Sequence, residues 1–250
     1  MAGHSKWKQI KHAKAVTDQR RGKLFTKLAR EIIVAAQQGG GDPDGNFRLR
    51  MAIQHAKDAN MPNDNIERAI KRGTGEGGDG VQMIEAVYEG YGPGGVAIML
   101  ETLTDNRNRT VSAVRTTLTR AGGNLAESGS VSWQFEKRGV ITIEAVDDEA
   151  DDLALIAIDA GAEDVDTDDS ILQVFSDPGS LEEVRSVLES SDAPISSSEV
   201  SLIPSHTVSL DTRMAGQILR LLDQLEEIDD VQKIYSNADF PDEALANYQG

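Results

Sequence analysis

The sequence predicts an α+β protein in which an N-terminal three-helix domain is followed by two α+β (ferredoxin-like) domains, the last inserted into the second. Two observations predict this architecture. Apolar residues recur with a helical period over the first seventy residues and with a period of two after residue 80. Residues 139–204 then follow the order β-α-β-β-α-β, the ferredoxin-like pattern, and an orphan helix–strand pair comes after them.

The first helix is predicted from Thr17 to Gln38, and the glycines at 39–41 end it. With Arg20 at zero and a turn of about 100° per residue, its apolar side chains fall between about 40° and 120°. Its basic side chains fall between about 280° and 360°. The apolar stripe is Leu24, Leu28, Ile32 and Ala35, and the basic stripe is Arg20, Lys23, Lys27 and Arg30. We therefore expect the helix to pack by the first stripe and to expose the second.

Two further helices complete the N-terminal domain, which we place at residues 1–80. The second runs from about residue 46 to residue 58. Its residues available for packing are Phe47, Met51 and Ile53. The third begins at Pro62, because proline fits the first turn of a helix, and Gly73 closes it. The stretch GTGEGGDG at 73–80 is predicted to be a linker.

The second domain is predicted to combine residues 81–138 with residues 205–240. Its predicted elements are strands at 81–91 and 96–103, a helix at 108–121, a strand at 131–136, a helix at 214–226 and a strand at 231–236. The inserted third domain, residues 139–204, has predicted strands at 140–145, 163–166, 171–175 and 199–203 and helices at 149–159 and 181–188. The tail past Phe240 is expected to fray.

The charge of the chain changes sign along its length. The whole chain has 25 Lys and Arg against 42 Asp and Glu, a net charge of −17. Residues 4–30 hold nine cations and one anion, whereas residues 139–250 carry a net charge of −23. This gradient predicts a basic module that faces a polyanion and an acidic remainder that points away from it.

The candidate nucleic-acid-binding residues lie in the basic N-terminal arm and on the first and third helices. Trp7 stands among lysines, a mixture that suits stacking on bases together with neutralisation of phosphates. The full set is Lys6, Trp7, Lys8, Lys11, His12, Lys14, Arg20, Arg21, Lys23, Lys27, Arg30, Arg68, Lys71 and Arg72. The alternatives are a solvated basic face, a capping tail, or an arm bound by the acidic half of the same chain.

Motifs of catalysis, cofactor binding and metal binding fail when their surroundings are considered. Glycines 73, 75 and 78 have the spacing of a dinucleotide-binding loop, but a helix precedes them and a strand follows, the reverse of what that loop needs. Aspartates 164, 166 and 168 have calcium-loop spacing, yet Asp169 and Phe175 replace the required Gly and Glu. The four histidines have no metal-site spacing. We therefore expect no enzymatic activity, no cofactor, no metal and no small-molecule substrate.

The compartment is predicted from what the sequence lacks. There is no cysteine, which suits a reducing environment. There is no apolar run long enough to span a membrane, and the basic N-terminus has no apolar stretch of the signal-peptide kind. We therefore expect a cytoplasmic protein with no membrane partner. The sequence favours no particular oligomeric state.

Several stretches resemble the YebC family of bacterial proteins, whose mitochondrial relatives are translational activators of cytochrome c oxidase synthesis. They are MAGHSKWKQIKHAKAVTDQRRGKLFTKLAREI (1–32), NMPNDNIERAIKRGTG (60–75), YEGYGPGGVAI (88–98), TDNRNRT (104–110) and GGNL (122–125). The resemblance implies an N-terminal helical domain and two α+β domains. It also implies a nucleic-acid-binding regulator of gene expression, of the type described as probable transcriptional regulators that bind DNA.

The resemblance leaves the target of binding open. Members of the family are also tied to translation on the ribosome, where they ease the synthesis of proline runs, so ribosomal RNA is the alternative partner. The sequence has no helix-turn-helix signature, and a basic head with an aromatic-bearing arm suits irregular RNA at least as well as duplex DNA. A protein-interaction adaptor is the third hypothesis. The tyrosines of the stretch 88–95 fit either a functional loop or a tightly packed turn.

Overall fold

The computed structural model describes residues 18–76, 82–145, 147–168 and 170–248. Its helices are α1 (Asp18–Gly39), α2 (Phe47–Asp58), α3 (Asn63–Thr74), α4 (Arg107–Arg120), α5 (Asp147–Asp159), α6 (Leu181–Ser190), α7 (Thr212–Glu226) and α8 (Asp242–Asn247). Its strands are β1 (Ile84–Tyr91), β2 (Ala97–Thr104), β3 (Asn124–Leu125), β4 (Phe135–Glu144), β5 (Asp164–Asp168), β6 (Ile171–Ser176), β7 (Ile195–Pro204), β8 (Val208–Ser209), β9 (Val231–Ser236) and β10 (Ala238–Asp239). Three helices are followed by two four-stranded antiparallel sheets with helices, and β8 and β10 form a small parallel pair. This arrangement confirms the predicted α+β class.

The turn between α1 and α2 is held by one buried amide. The Asn46 Oδ1 accepts a hydrogen bond from the backbone N–H of Leu49 at 3.0 Å, which caps α2. The Asn46 Nδ2 donates to the carbonyl oxygens of Ala35 at 2.7 Å and Gly40 at 2.9 Å, at the end of α1. The same side chain therefore caps the start of α2 and ties it to the C-terminal end of α1.

The second half of α1 forms the centre of the helical core. Five consecutive residues, 32–36, are between 0 and 4% exposed. They are covered by α2, by α3 and by Met83 and Leu103 next to and within the first sheet. The predicted apolar stripe therefore holds for the second half of the helix, whereas Leu24 in the first half is 40% exposed.

The packing residues predicted for α2 are wrong in two of three positions. Phe47 is 69% exposed and Met51 is 38% exposed, while Ile53 packs at the edge of the core. The residues that α2 buries are Leu49, Ala52 and Ala56. The small side chains of Ala52 and Ala56 allow α2 to lie close to α1. Phe47 is left on the surface, with the Arg50 guanidinium 5.5 Å from its ring centre.

Gly73 lies in the last turn of α3 and not in a linker. A Cβ at this position would stand 2.5 Å from the Ile33 carbonyl oxygen and 2.7 Å from the Cβ of Ala36. Glycine therefore permits the close approach of α3 to α1. The helix ends one residue later, at Thr74, and Gly75 caps it in the left-handed conformation with φ of 76°.

The first sheet has the strand order β3-β1-β2-β9, and all its neighbours are antiparallel. Helices α4 and α7 pack on one face of it through Val114, Leu118 and the leucines of α7. The strand β9 begins 127 residues after its neighbour β2 ends, at Val231 against Thr104, as expected if the second sheet is an insertion. The turn at 92–95 is closed by a 2.8 Å hydrogen bond from Gly92 N to Val96 O.

The tyrosines of the stretch 88–95 lie in β1 and not in the turn. The Tyr91 hydroxyl donates to the Ser130 carbonyl oxygen at 2.9 Å. The turn itself contains Gly94 and Gly95 with φ of 73° and 78°, which only glycine adopts readily. These contacts favour a packed structural turn.

The strand predicted at 131–136 is wrong at residues 131–134, and only residues 135 and 136 are in a strand, at the start of β4. Residues 132–134 form a 3-10 turn, and the small third strand of the first sheet is Asn124–Leu125. The cause is Glu89, whose buried carboxylate accepts hydrogen bonds from three backbone N–H groups of this segment. The donors are Gly129 at 2.8 Å, Val131 at 2.6 Å and Ser132 at 3.0 Å. These bonds hold the segment as a turn until β4 begins.

The second sheet has the order β5-β6-β4-β7, again with antiparallel neighbours. Its elements follow each other as β-α-β-β-α-β, as predicted, and α5 and α6 cover one face through Ala150, Leu153, Val184 and Leu188. The strand β4 runs unbroken from 135 to 144, so it crosses the predicted boundary at residue 139. The division at 1–80, 81–138 with 205–240, and 139–204 stays a prediction.

The C-terminal tail past Phe240 is ordered in part, contrary to expectation. Residues 242–247 form α8, where Ala244 and Leu245 are each 5% exposed. The Tyr248 hydroxyl donates to Asp223 Oδ2 at 2.5 Å, which ties the segment to α7. Across the described ranges, no helix combines the length and apolarity needed to cross a membrane.

Candidate nucleic-acid interface

The candidate residues of the N-terminal arm lie outside the described residues. These are Lys6, Trp7, Lys8, Lys11, His12 and Lys14. Arg20 is on the first turn of α1, but the structure describes only its backbone. The structure therefore bears on the candidates of α1 from Arg21 onward and on those of α3.

Two residues of the basic stripe of α1, Lys23 and Arg30, contact an acidic turn of the same chain between α7 and β9. Lys23 forms an ion pair with Glu227. The Arg30 guanidinium lies 2.6 Å from Asp230 Oδ1 and donates to the Leu103 carbonyl oxygen at 3.0 Å. Only 17% of the Arg30 side chain is exposed, so the prediction of an exposed stripe is wrong at this position.

Asp230 is the acceptor at the centre of this contact. Asp230 is 3% exposed. Besides Arg30, it accepts from Arg109 at 3.0 and 3.2 Å and from the Thr110 hydroxyl at 2.7 Å. A buried carboxylate needs such donors, because an unpaired charge out of water is costly. The acidic turn at 227–230 therefore touches the basic helix. The charge gradient had suggested that the acidic part of the chain points away from the basic part, and this is wrong for the turn.

The candidates on α3 are all exposed. Arg68 is fixed by two neutral acceptors of its own helix: its Nε donates to the Asp64 carbonyl oxygen at 3.0 Å, and its Nη2 donates to Asn65 Oδ1. Within the described ranges, Arg68 and Arg72 form no ion pair with a carboxylate. Both guanidinium groups therefore keep their full charge for a partner outside the chain.

A cleft of about 430 Å³ lies between α1, α3 and the start of α4. Its lining residues are Phe25, Thr26, Ala29, Arg30, Ile33, Met61, Asn65, Arg68, Ala69, Arg72, Met83, Asp105 and Arg109. The residues that α3 contributes follow the spacing i, i+3, i+4, i+7, which is one face of a helix. The cleft thus combines apolar side chains with four arginines and one carboxylate.

The charges of the cleft fall into a paired and an unpaired group. Asp105 Oδ1 lies 2.5 Å from the Arg109 guanidinium, and this hydrogen bond holds the pKa of Asp105 below its usual value. The hydrogen bonds to Asp105 and Asp230 raise the pKa of Arg109. Arg30 and Arg109 are therefore committed to carboxylates, while Arg68 and Arg72 supply the net positive charge of the opening.

Sequence reasoning missed two residues of the cleft, Asp105, which follows β2 directly, and Arg109 on α4. Both residues belong to the stretch TDNRNRT (104–110). This stretch could have indicated them, but it was interpreted only as part of the family resemblance. Of the predicted residues, the structure brings Arg30, Arg68 and Arg72 together at the cleft. Lys71 stands on the same helix but outside the lining, and Lys23 stands at the acidic turn.

Comparisons with known proteins confirm the predicted resemblance. The family model described as the TACO1/YebC protein N-terminal domain matches residues 5–76, and that of the TACO1/YebC second and third domain matches residues 83–238. A probable transcriptional regulatory protein of Dehalococcoides mccartyi (strain CBDB1) is 55% identical over 248 residues, covering 99% of this chain and 98% of the relative. A protein of the same description from Halothermothrix orenii is 54% identical over 248 residues, covering 98% of each.

A solved structure agrees with the fold. The crystal structure of a conserved hypothetical protein from Aquifex aeolicus is similar with a TM-score of 0.80 and 49% sequence identity. The likeness covers 94% of this chain and 97% of that one. Together the two family models account for most of the chain, from the basic arm to the last strands of the first sheet. The chain belongs to the TACO1/YebC family.

Proposed function

We propose that the protein is a non-enzymatic, cytoplasmic regulator of gene expression that binds nucleic acid at the cleft between α1, α3 and α4. The observation that carries the proposal is the pair Arg68 and Arg72, which line the cleft without an ion pair in the described chain. Planar guanidinium groups held on a helix suit phosphate oxygens. The names of the relatives, probable transcriptional regulatory proteins, support a role in regulation.

The basic arm is the second part of the proposed surface. The arm comes shortly before α1 in the sequence and holds lysines 6, 8, 11 and 14 and Trp7. A nucleic-acid strand that contacts the arm would therefore also lie beside α1. The contacts of Arg30 support a different role for that residue, because its Nη1 pairs with Asp230 and donates to the Leu103 carbonyl oxygen within the chain. We therefore assign Arg30 to holding α1 against the first sheet.

Fluorescence anisotropy with labelled oligonucleotides tests the proposal. The Arg68→Gln/Arg72→Gln double variant should bind single-stranded RNA and duplex DNA at least about tenfold more weakly than wild type, since each phosphate contact is charge-assisted. The matched control is Arg115→Gln/Arg120→Gln on α4. Both of its arginines are exposed, and it changes the net charge by the same amount.

Failure of the wild-type protein to bind any nucleic acid at low salt would contradict the proposal. So would a double variant that binds as well as wild type while the control does the same. An equal loss in both double variants would show that only net charge matters and would remove the cleft from the account.

A second candidate function, a ribosome-associated translation factor, is favoured by the shape of the surface. A reader of the major groove inserts a protruding helix or ribbon into a groove about 12 Å wide. Here Arg68 and Arg72 line a recess between two groups of elements. Recesses suit the splayed bases of single-stranded or looped RNA, as proteins that recognise RNA commonly use them.

Sedimentation of cell lysate separates the two candidates. A ribosome-associated factor should migrate with ribosomal particles and leave them as the salt concentration rises. Its absence from every ribosomal fraction at low salt would rule out this candidate. A DNA-binding regulator should instead prefer a promoter fragment over scrambled duplex by at least about 10³ in affinity.

A further inference from the structure

The cleft has two chemically different sides. The apolar side is formed by α1, by the turn before α3 and by the residue before β1, and its most buried members are Ile33, Met61 and Met83, each 4 to 6% exposed. Phe25 stands partly buried beside them. The polar side is formed by Arg68, Arg72 and the Asp105–Arg109 pair. The apolar residues also belong to the core between the helices and the first sheet, and their edges give the cleft an apolar wall beside its charged side.

We propose that this cleft binds one unstacked nucleotide of single-stranded RNA, with its base against the apolar wall and its phosphate on Arg68 and Arg72. The inference rests on the proposed function and states what the surface recognises. A base paired and stacked within a duplex keeps both faces covered, so it cannot lie on such a wall. The cleft therefore favours single strands over duplexes.

The size of the cleft fits one nucleotide. Its volume of about 430 Å³ lies in the lower part of the range of roughly 300–1,000 Å³ that is typical of pockets for small ligands. The thioethers of Met61 and Met83 and the ring of Phe25 are polarisable groups that pack well against a flat aromatic base. The described side chains of this wall, Phe25, Ile33, Met61 and Met83, carry no hydrogen-bonding group that would select one base, so the binding should tolerate different sequences.

Arg68 is prepared for one phosphate. Its Nε and Nη2 bond to the Asp64 carbonyl oxygen and to Asn65 Oδ1, which fixes the plane of the guanidinium without neutralising it. The two N–H donors of its Nη1 make no hydrogen bond within the described chain. Fixing the side chain in advance reduces the entropy lost on binding. Arg72, one turn further along α3, adds the second charge.

Asp105 limits the cleft to a single anion. Its carboxylate lines the cleft and pairs with Arg109 at 2.5 Å. Because Arg109 is already paired with Asp105 and Asp230, a second phosphate on that side would meet no unpaired cation. The sugar–phosphate backbone is therefore expected to pass along α3, where Arg68, Lys71 and Arg72 lie, and to turn one base inward.

A filler variant tests the inference without changing charge. Thr26 is exposed and lines the cleft, so Thr26→Trp places a ring where the base would lie. Loss of one base–protein contact should weaken binding of a labelled single-stranded oligonucleotide about 5- to 150-fold. Its salt slope should stay that of wild type, since no phosphate contact is lost. Thermal melting of the variant checks that the fold is kept.

A second measurement does not depend on any variant. RNA that carries 4-thiouridine is crosslinked by light to wild-type protein, and the attached peptides are identified by mass spectrometry. The inference predicts crosslinks in the peptides of Phe25, Met61 or Met83. Crosslinks confined to residues 1–17 would overturn it.

The failures of the two proposals are distinguishable. Wild type that binds no nucleic acid removes both. Salt-dependent binding that is unaffected by Thr26→Trp, and equal for single-stranded RNA and its duplex, overturns the nucleotide cleft and leaves the proposed function standing. Weaker binding by Thr26→Trp with an unchanged salt slope supports both.

Discussion

Replacing Asp230 by asparagine tests the contact that holds the helices against the first sheet. The side chain keeps its size and loses its charge, and Arg30 loses a carboxylate partner at 2.6 Å. Removing one member of a buried ion pair costs roughly 3–5 kcal/mol, because the other charge stays out of water. The second cation, Arg109, is 50% exposed and recovers hydration. We therefore expect the lower end of the range, about 3 kcal/mol.

Urea denaturation followed by circular dichroism measures this loss. At a slope of about 3 kcal/mol per molar urea, the midpoint should fall by about 1 M. Native-state hydrogen exchange locates the change and should show faster exchange in α1, since a chain with several cores can open in parts. Asp229→Asn, at an exposed neighbouring residue, is the control. Midpoints of the two variants within about 0.2 M of each other would refute the reasoning.

Two further variants test the buried polar contacts of the fold. Burial raises the pKa of Glu89, but the backbone N–H donors outweigh it, so the pKa lies below its usual value. Glu89→Gln should therefore lose about 2 kcal/mol of stability at pH 7. A folded-state pKa that is lowered stabilises the protein only at pH values above the unfolded pKa of about 4.3. The difference in unfolding free energy between wild type and Glu89→Gln, measured by urea denaturation, should therefore shrink as the pH falls below about 4. A difference independent of pH would contradict this. Asn46→Ala should lose about 2–3 kcal/mol, because it removes a helix cap and two carbonyl partners. Thermal melting checks it, and a loss no larger than that of the exposed Asn108→Ala would argue against the role.

Local sequence patterns predicted most of the fold. The strand β9 was predicted at 231–236 and is found there, because its turn residues and alternation are contained in the segment itself. The order of elements in the second sheet followed from the same signals. Elements of this kind are determined by neighbours in the chain, so one sequence is enough to place them.

Contacts between distant residues explain what the sequence did not predict. A helical wheel separates the basic stripe of α1 from its apolar stripe, but it does not show that Asp230, two hundred residues later, covers Arg30. The 3-10 turn at 132–134 likewise depends on Glu89 in another strand. An apolar pattern around residue 131 therefore suggested a strand where a carboxylate holds a turn.

The cleft was predicted only in part for the same reason. Arg68 and Arg72 were recognisable from the composition of α3. Asp105 and Arg109 come from the first sheet and its helix, and only the packing of α1 against that sheet brings them to the cleft. The close approach of α3 to α1 at Gly73 could not be predicted from local patterns either. A glycine near a helix end is usual whether or not another helix packs closely against it.

The salt dependence of RNA binding tests the central claim most directly. If Arg68 and Arg72 each contact a phosphate, the slope of log K against log salt for single-stranded RNA should become shallower by about 1.4 in Arg68→Gln/Arg72→Gln, at about 0.7 per contact. The Arg115→Gln/Arg120→Gln control should keep the wild-type slope. A double variant whose slope equals that of wild type would contradict the assignment of phosphate contacts to the cleft.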